Sequence, residues 1–155
     1  MDVHFLNLMR HLFQHMDIDM PRHQDNDEYA VSVDGEAKMR FFVAPAGYLN
    51  VVSVVAEASE TNSPGMLLNL LKMNGFTPVL PDFNFKIGVD QTTNHIELWM
   101  REPLAGLEPA RLIELFHLFL EAAGFAKTYI ERAVVGNMPH HTTASFQMEE
   151  VALAL

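Results

Sequence analysis

The chain has 155 residues, of which 49% are hydrophobic and 10% aromatic. This length and apolar content suit a single folded domain and exclude a disordered chain. Its 20 Asp and Glu outnumber its 10 Lys and Arg, and the formal charge of −10 repels phosphate backbones and anionic lipids. Nucleic acid and membrane surfaces are therefore not expected partners. The chain has no cysteine, which excludes disulfides and fits a reducing cytoplasm, and no apolar run approaches the ~18 residues of a membrane span.

The first predicted element is an amphipathic helix between Val3 and Met16. At 100° per residue, its apolar side chains fall within about 160° of arc. These residues are Phe5, Leu6, Leu8, Met9, Leu12, Phe13 and Met16. The segment from Asp17 to Asp27, with Pro21 and four Asp, interrupts the period and is predicted to be a loop.

Three antiparallel strands are predicted next, because the apolar period changes to two at Glu28. The alternating apolar residues are Tyr29, Val31 and Val33, followed by Met39, Phe41 and Val43. Asp34-Gly35 lies between the two runs and is a tight-turn signal, so the runs form a hairpin. Both faces of the segment Tyr48 to Ala58 are largely apolar, as expected of a central strand that is covered on both sides.

The second half of the chain predicts a short helix, another hairpin and a last helix. Ser63-Pro64 and Gly75 mark the limits of the short helix. Alternation in 83–89 and 96–100, with turn residues between, predicts the hairpin. The last helix has its apolar face from Leu112 to Ala123 and ends near Gly124 or a turn later. The order is α-βββ-α-ββ-α, an α+β fold in which a twisted antiparallel sheet packs against helices. Residues 1–132 form one domain, and 133–155 form a C-terminal tail of uncertain structure.

Histidine is the one residue type that suggests chemistry. His4, His11 and His15 lie on one stripe of the first helix, and the i, i+4 spacing of His11 and His15 can chelate a metal. Without a third ligand nearby, a solvated polar face explains the stripe better. Neither glycine-rich nucleotide loops nor the common hydrolase motifs occur. We expect no catalytic residue, no metal and no cofactor. The alternative is a small ligand- or metal-binding domain or enzyme that uses the histidine stripe.

The short helix carries more apolar surface than one core requires. Its apolar residues between Met66 and Met73 spread over about 220° of arc, wider than the stripe that packs one helix face on a sheet. A second surface should therefore cover it, and a second copy of the chain is the favoured partner. Trp99 projects from the polar face of its strand, and aromatic residues are enriched in interface cores. The residues predicted at this dimer interface are Met66, Leu67, Leu70, Leu71 and Trp99.

Several segments resemble the class I type III secretion chaperones, the Tir chaperone-like family of acidic, dimeric bacterial proteins. The resemblance covers about residues 3–130. The sequence 67–75 resembles the family's second helix and the loop after it, 85–90 with 96–99 resembles its final hairpin, and 103–107 resembles its approach to the last helix. The resemblance implies a cytoplasmic homodimer, packed through the second helix and a neighbouring strand, without ATPase activity. It also implies that the N-terminal segment of a secreted effector wraps around the dimer in extended form and stays soluble and secretion-competent.

The first helix is the predicted effector-binding surface. Its apolar arc is wider than packing on a sheet requires, so residues at the margins of the arc are available to a ligand. Methionines around this helix, Met9, Met16 and Met20, would supply adaptable contacts. The candidate effector-binding residues are Phe5, Leu6, Leu8, Met9, Leu12 and Phe13.

Overall fold

The computed structural model describes residues 2–21, 28–33, 37–58, 70, 74 and 85–134. The elements in chain order are α1 (Val3–His15), β1 (Glu28–Val33), β2 (Ala37–Val43), β3 (Tyr48–Glu57), β4 (Lys86–Asp90), β5 (His95–Pro103) and α2 (Pro109–Val134). The short helix predicted between Ser63 and Gly75 lies outside the described residues, apart from Leu70 and Asn74. Most of the predicted tail, residues 135–155, also lies outside them.

Helix α1 begins where the sequence offers a capping side chain. The Asp2 carboxylate accepts hydrogen bonds from the backbone N–H of His4 at 2.8 Å and of Phe5 at 3.3 Å. These bonds satisfy two of the donors that the first turn of a helix leaves without a partner. The helix ends when Asp17 adopts a positive φ of 55°, which a helix cannot continue. The observed helix therefore matches the predicted one to within a residue.

The five strands form one antiparallel sheet in the order β1-β2-β3-β5-β4. β3 is central, as the apolar residues on both of its faces predicted. Gly47, at a φ of 86°, lies in the tight connection between β2 and β3. The two hairpins and the α+β class are confirmed.

One face of the sheet packs against both helices. Alternate residues of the strands point to this face, and paired strands place their apolar residues side by side. The buried core includes Phe5, Leu12, Met39, Phe41, Leu49, Val51, Ile96, Met100, Leu112, Leu115 and Phe119. Because these residues come from both helices and three strands, the core depends on contacts between distant parts of the chain.

Helix α2 is longer than the sequence suggested. It runs through Gly124 to Val134, so the expectation of an end near Gly124 or a turn later was wrong. Ala126 and Ile130 continue the buried stripe beyond the glycine. Gly124 is itself exposed, and a glycine at such a site costs only about 1 kcal/mol relative to alanine. Continued burial offsets that cost.

The β4–β5 hairpin closes through a turn built on Asp90. The Asp90 carboxylate accepts a hydrogen bond from the backbone N–H of Thr92 at 2.8 Å. This bond, supported by Thr93, lowers the pKa of Asp90. Asn94 completes the turn at a φ of 57°, a conformation that asparagine tolerates better than most residues.

Within the described part of the chain, the outward side of β4 is capped by a side chain. The Asn74 amide nitrogen donates to the carbonyl oxygen of Ile87 at 2.7 Å, and the Ile87 N–H donates to the Asn74 oxygen at 2.7 Å. The carboxamide thus takes both hydrogen bonds that a neighbouring strand would make. It satisfies the backbone of Ile87 where the sheet ends.

Candidate functional site

The predicted effector-binding residues of α1 lie mostly beneath the surface. Five of the six are buried and belong to the core: Phe5, Leu8, Met9, Leu12 and Phe13. The rings of Phe5 and Phe13 flank Tyr29 of β1, with centroids 5.8 and 5.9 Å from its ring. Leu6 is half-buried. Most of the predicted residues therefore fix α1 on the sheet, and their contact with an effector stays a prediction.

An open groove lies at the C-terminal end of α1. It has a volume of about 450 Å³ and is lined by Arg10, Phe13, Gln14, Asp17, Ile18, Asp19 and Met20. Ile18 is 45% exposed, so its aliphatic side chain is accessible to a ligand. Phe13 forms part of the groove wall while it also packs on Tyr29. Both apolar and charged side chains line the groove. The apolar period of the sequence gave no signal for it, because residues 17–20 follow the helix.

Strand β1 is the edge strand on the same side of the sheet as this groove. Within the described part of the chain it pairs with β2 alone. Phe13 joins the two features, because it lines the groove and contacts Tyr29 of β1. An edge strand presents backbone N–H and C=O groups to an incoming chain. A groove with apolar contacts and an edge with backbone hydrogen-bonding groups are therefore adjacent.

The second candidate surface is the sheet face that points away from α1 and α2, here called the outer face. Trp99 lies on it, directly paired with Val52 of β3 and Lys86 of β4. The Arg101 guanidinium carbon lies 5.7 Å from the centroid of the Trp99 ring, within cation–π range. Val54, on the same face of β3, is 41% exposed. The outer face thus carries apolar side chains that no described helix covers.

Hydrogen bonds and an ion pair connect polar side chains on the outer face. The Arg40 guanidinium donates a hydrogen bond to the Glu97 carboxylate at 2.9 Å, across β3. The Glu97 side chain is only 15% exposed. Arg101 donates to the Asn50 oxygen at 3.0 Å, while the Asn50 amide donates to the carbonyl oxygen of Ala44. Asn50 is buried, although it lies in the largely apolar strand β3. An asparagine within a largely apolar strand is the sequence feature that could have indicated this network. The sequence-based predictions did not include the network.

The predicted dimer residues have different positions in the structure. Trp99 is half-buried on the outer face. Leu70 is 5% exposed and belongs to the core cluster of its own chain. Met66, Leu67 and Leu71 lie outside the described residues. Dimerisation through this set stays a prediction, with Trp99 as its accessible member.

The histidine stripe of α1 does not converge on one point. The His4 Nε2 lies 3.0 Å from the carbonyl oxygen of Leu107, at one end of the helix, whereas the His15 Nε2 lies 3.1 Å from the His117 Nε2 at the other. His11 is exposed. Among the described residues, no three His, Asp or Glu side chains form a group that could hold a metal. The alternative enzyme or metal-binding function has no support from this arrangement.

A family comparison gives these surfaces their context. A sequence profile of the Tir chaperone protein (CesT) family matches residues 7–127. The chain belongs to the Tir chaperone protein (CesT) family. This result confirms the resemblance to class I type III secretion chaperones that the sequence indicated. No curated protein matches the sequence.

Three solved structures of complexes each contain a chain that is similar to this one. The chain is similar to a chain of the structure of the Yersinia pestis type III secretion chaperone SycH with a fragment of YscM2, at 14% identity, a TM-score of 0.61 and coverage of 79% of this chain and 98% of that one. A chain of the Pseudomonas aeruginosa ExoT–SpcS complex matches at 18% identity, a TM-score of 0.61 and coverage of 81% and 98%. A chain of the HopA1–SchA chaperone–effector complex matches at 13% identity, a TM-score of 0.67 and coverage of 81% and 94%. At these identities the similarity establishes the fold.

The family and fold are those of chaperones. Neither helix in the described part of the chain has the length and apolarity that a membrane span requires.

Proposed function

We propose that this chain is a bacterial cytoplasmic type III secretion chaperone and not an enzyme. It binds the N-terminal segment of a secreted effector in extended form and keeps that segment soluble and secretion-competent. The observation that carries the proposal is the family match across residues 7–127. The related folds found in complexes of SycH with YscM2 and of SchA with HopA1 support it.

The groove beside α1 and the edge of β1 are the proposed effector-binding surface. An extended segment that lies along β1 would pair its backbone with the edge strand, which is a common way of recognising a peptide. Its apolar side chains would enter the groove, where Ile18 and Met20 supply apolar contacts and Phe13 forms the wall. Phe13 is then the member of the predicted set that lines the groove, and Phe5, Leu8, Met9 and Leu12 hold the helix in position.

Copurification tests the proposed function. We expect the untagged chain, expressed with the N-terminal segment of the protein encoded by a neighbouring gene, to yield a stable complex of two chaperone chains and one effector segment. The free effector segment should show no helical or sheet signal. It should resist protease only when it is bound in the complex. Recovery of both proteins as separate species for every neighbouring candidate would contradict the proposal.

A pair of matched variants tests the proposed surface. Ile18→Ser removes an apolar contact in the groove, and Val54→Ser makes a similar change at a similarly exposed residue on the outer face. Burying an aliphatic anchor contributes roughly 1.5–3 kcal/mol before ordering costs, so Ile18→Ser should weaken binding about tenfold. Val54→Ser should leave the effector affinity unchanged. The opposite result, measured by calorimetry on variants of equal thermal stability and equal dimer mass, would assign the effector to the outer face.

We further propose that the chain is a homodimer in which Trp99 lies at or beside the subunit contact, with Met66, Leu67, Leu70 and Leu71 as the other predicted members. The exposed apolar side chains of the outer face support this assignment. Trp99→Asp should give a folded monomer, because it removes the aromatic ring from the contact and replaces it with a carboxylate that association would have to desolvate. Leu70→Asp should instead unfold the chain, because Leu70 is 5% exposed within its own core. Light scattering at micromolar concentration measures both, and a monomer mass for the unmodified chain would contradict the dimer.

A further inference from the structure

Helix α1 ends in a cap that forms part of the groove. The backbone N–H of Ile18 donates to the carbonyl oxygen of Phe13 at 3.2 Å, and that of Asp17 donates to the carbonyl oxygen of Gln14 at 3.2 Å. These are the two hydrogen bonds of a Schellman motif, which turns the chain back over the last turn of a helix. The motif brings Ile18 back towards Phe13, and both side chains line the groove. The end of the helix therefore fixes the apolar part of the groove.

Asp17 occupies the position of this motif at which glycine is most common. Its φ of 55° lies in the left-handed region, which is less favourable for a residue with a Cβ than for glycine. The negative end of the helix dipole also lies here, and it disfavours a carboxylate. Asp19 adds a second exposed carboxylate to the groove lining. Within the described part of the chain neither carboxylate forms an ion pair, so both can attract a positively charged partner.

We propose that the groove selects effector segments in which a lysine or arginine lies two positions from the apolar residue that enters the groove. The proposal rests on the proposed function as an effector chaperone and names the chemistry of the segment that the chain binds. Ile18 and Phe13 would contact the apolar side chain, and the carboxylates would attract the basic one. A cation at this end of α1 is favoured both by the helix dipole and by the charges of Asp17 and Asp19.

The geometry of an extended segment suits this pattern. Side chains of an extended chain point alternately to opposite sides, so residues two positions apart face the same surface, about 7 Å from each other. An apolar residue in the groove therefore brings a lysine or arginine two positions away to the same lining. Of the three charged residues in that lining only Arg10 is basic, and its guanidinium donates to the Asn7 side chain at 2.9 Å. The lining thus carries a net negative charge.

Asp17→Asn tests the proposal because it should change stability and binding in opposite directions. Asparagine tolerates the left-handed conformation and carries no charge, so the unfolding midpoint of the free variant should rise by about 1–4 °C. Its affinity for the effector segment that copurifies with the parent should fall about two- to fivefold at roughly 0.15 M salt. The difference in affinity should disappear at about 1 M salt. Calorimetry on the full chain measures these affinities.

Glu131→Gln is the matched control. Glu131 is an exposed carboxylate in the last turn of α2 and does not line the groove. Its substitution removes the same charge near a helix C-terminus, so it should raise the midpoint similarly and leave the affinity unchanged. Arg10→Gln tests the sign of the effect, because the loss of a positive charge from the lining should strengthen binding. In the segment, replacement of the lysine or arginine by glutamine should abolish the effect of Asp17→Asn.

Three results would overturn the inference while the proposed function stands. The first is an effector segment without a lysine or arginine two positions from its groove residue, which is the apolar residue whose loss is not additive with Ile18→Ser. The second is equal affinity of the parent and Asp17→Asn for the segment, and the third is a loss of affinity that Glu131→Gln reproduces. Failure of every neighbouring segment to copurify would instead contradict the proposed function, and this inference with it.

Discussion

The carboxamide of Asn74 offers a sharp test of how the sheet ends at β4. Asn74→Ala removes two hydrogen bonds of 2.7 Å to the backbone of Ile87. A hydrogen bond contributes about 0.5–1.5 kcal/mol net, so the pair amounts to about 1–3 kcal/mol. Both bonds are only partly buried, and water can reach the freed groups, which favours the middle of that range. For a chain of this size, 2 kcal/mol corresponds to a fall of roughly 4–8 °C in the unfolding midpoint.

Two measurements separate this effect from a general loss of stability. Thermal unfolding gives its size, and hydrogen exchange of the Ile87 amide gives its location, because that N–H donates to Asn74. Asn7→Ala is the control: Asn7 also accepts a side-chain hydrogen bond, from Arg10, but it is exposed, and its loss should change stability by about 0.5 kcal/mol or less. If Asn74→Ala leaves both the midpoint and the exchange of Ile87 unchanged, the carboxamide does not cap the strand.

Asn74→Asp tests the same two hydrogen bonds by replacing the neutral carboxamide with a charged carboxylate. The substitution keeps an acceptor for the Ile87 N–H but replaces the donor with a carboxylate oxygen that faces the Ile87 carbonyl oxygen. At neutral pH it should therefore destabilise the chain more than Asn74→Ala does. Protonation of the new carboxyl at low pH supplies an O–H donor again, so the difference between the two variants should shrink or reverse there.

Two further predictions concern the helices. Leu8→Ala should lower the free energy of unfolding by about 2–5 kcal/mol in a denaturant titration, because Leu8 is 1% exposed; a loss below about 1 kcal/mol would show that it is not a core residue. Gly124→Ala should raise the free energy of unfolding by about 0.5–1 kcal/mol, because an added Cβ meets nothing within 4 Å and the residue lies in a helix. Gly106→Ala, in contrast, should lower it, because Gly106 has a φ of 79°. Equal effects from the two alanines would contradict the assigned backbone conformations.

The fold was predictable where local patterns determine it. Helix α1, the strands β1 and β2 and the final hairpin each follow an apolar period that is complete within the element, and β3 is a local apolar run with apolar residues on both faces. The end of α2 was not predictable in this way, because glycine commonly ends a helix. Only the buried stripe that continues to Ile130 explains why the helix extends beyond Gly124. A local signal and a tertiary requirement conflicted at this glycine, and the tertiary requirement prevailed.

The candidate site was less predictable because its parts meet through long-range contacts. The sequence correctly identified Phe5, Leu8 and Leu12 as members of an apolar face, but it could not tell burial beneath the sheet from exposure to a ligand. The groove at Ile18 lies in the segment where the helical period ends. The pairing of His15 with His117 joins residues 102 positions apart, which no local spacing can indicate.

The described residues carry apolar surface in two places outside the core. One sheet face and the inner sides of both helices already form a complete core. Outside that core, the outer face carries the half-buried Trp99 and the exposed Val54, and the groove carries the exposed Ile18. The ion pair between Arg40 and Glu97 orders the outer face without covering it. Two separate apolar surfaces on one chain allow a self-contact and an effector contact to coexist, and a homodimer would then present two effector-binding grooves to a single extended segment.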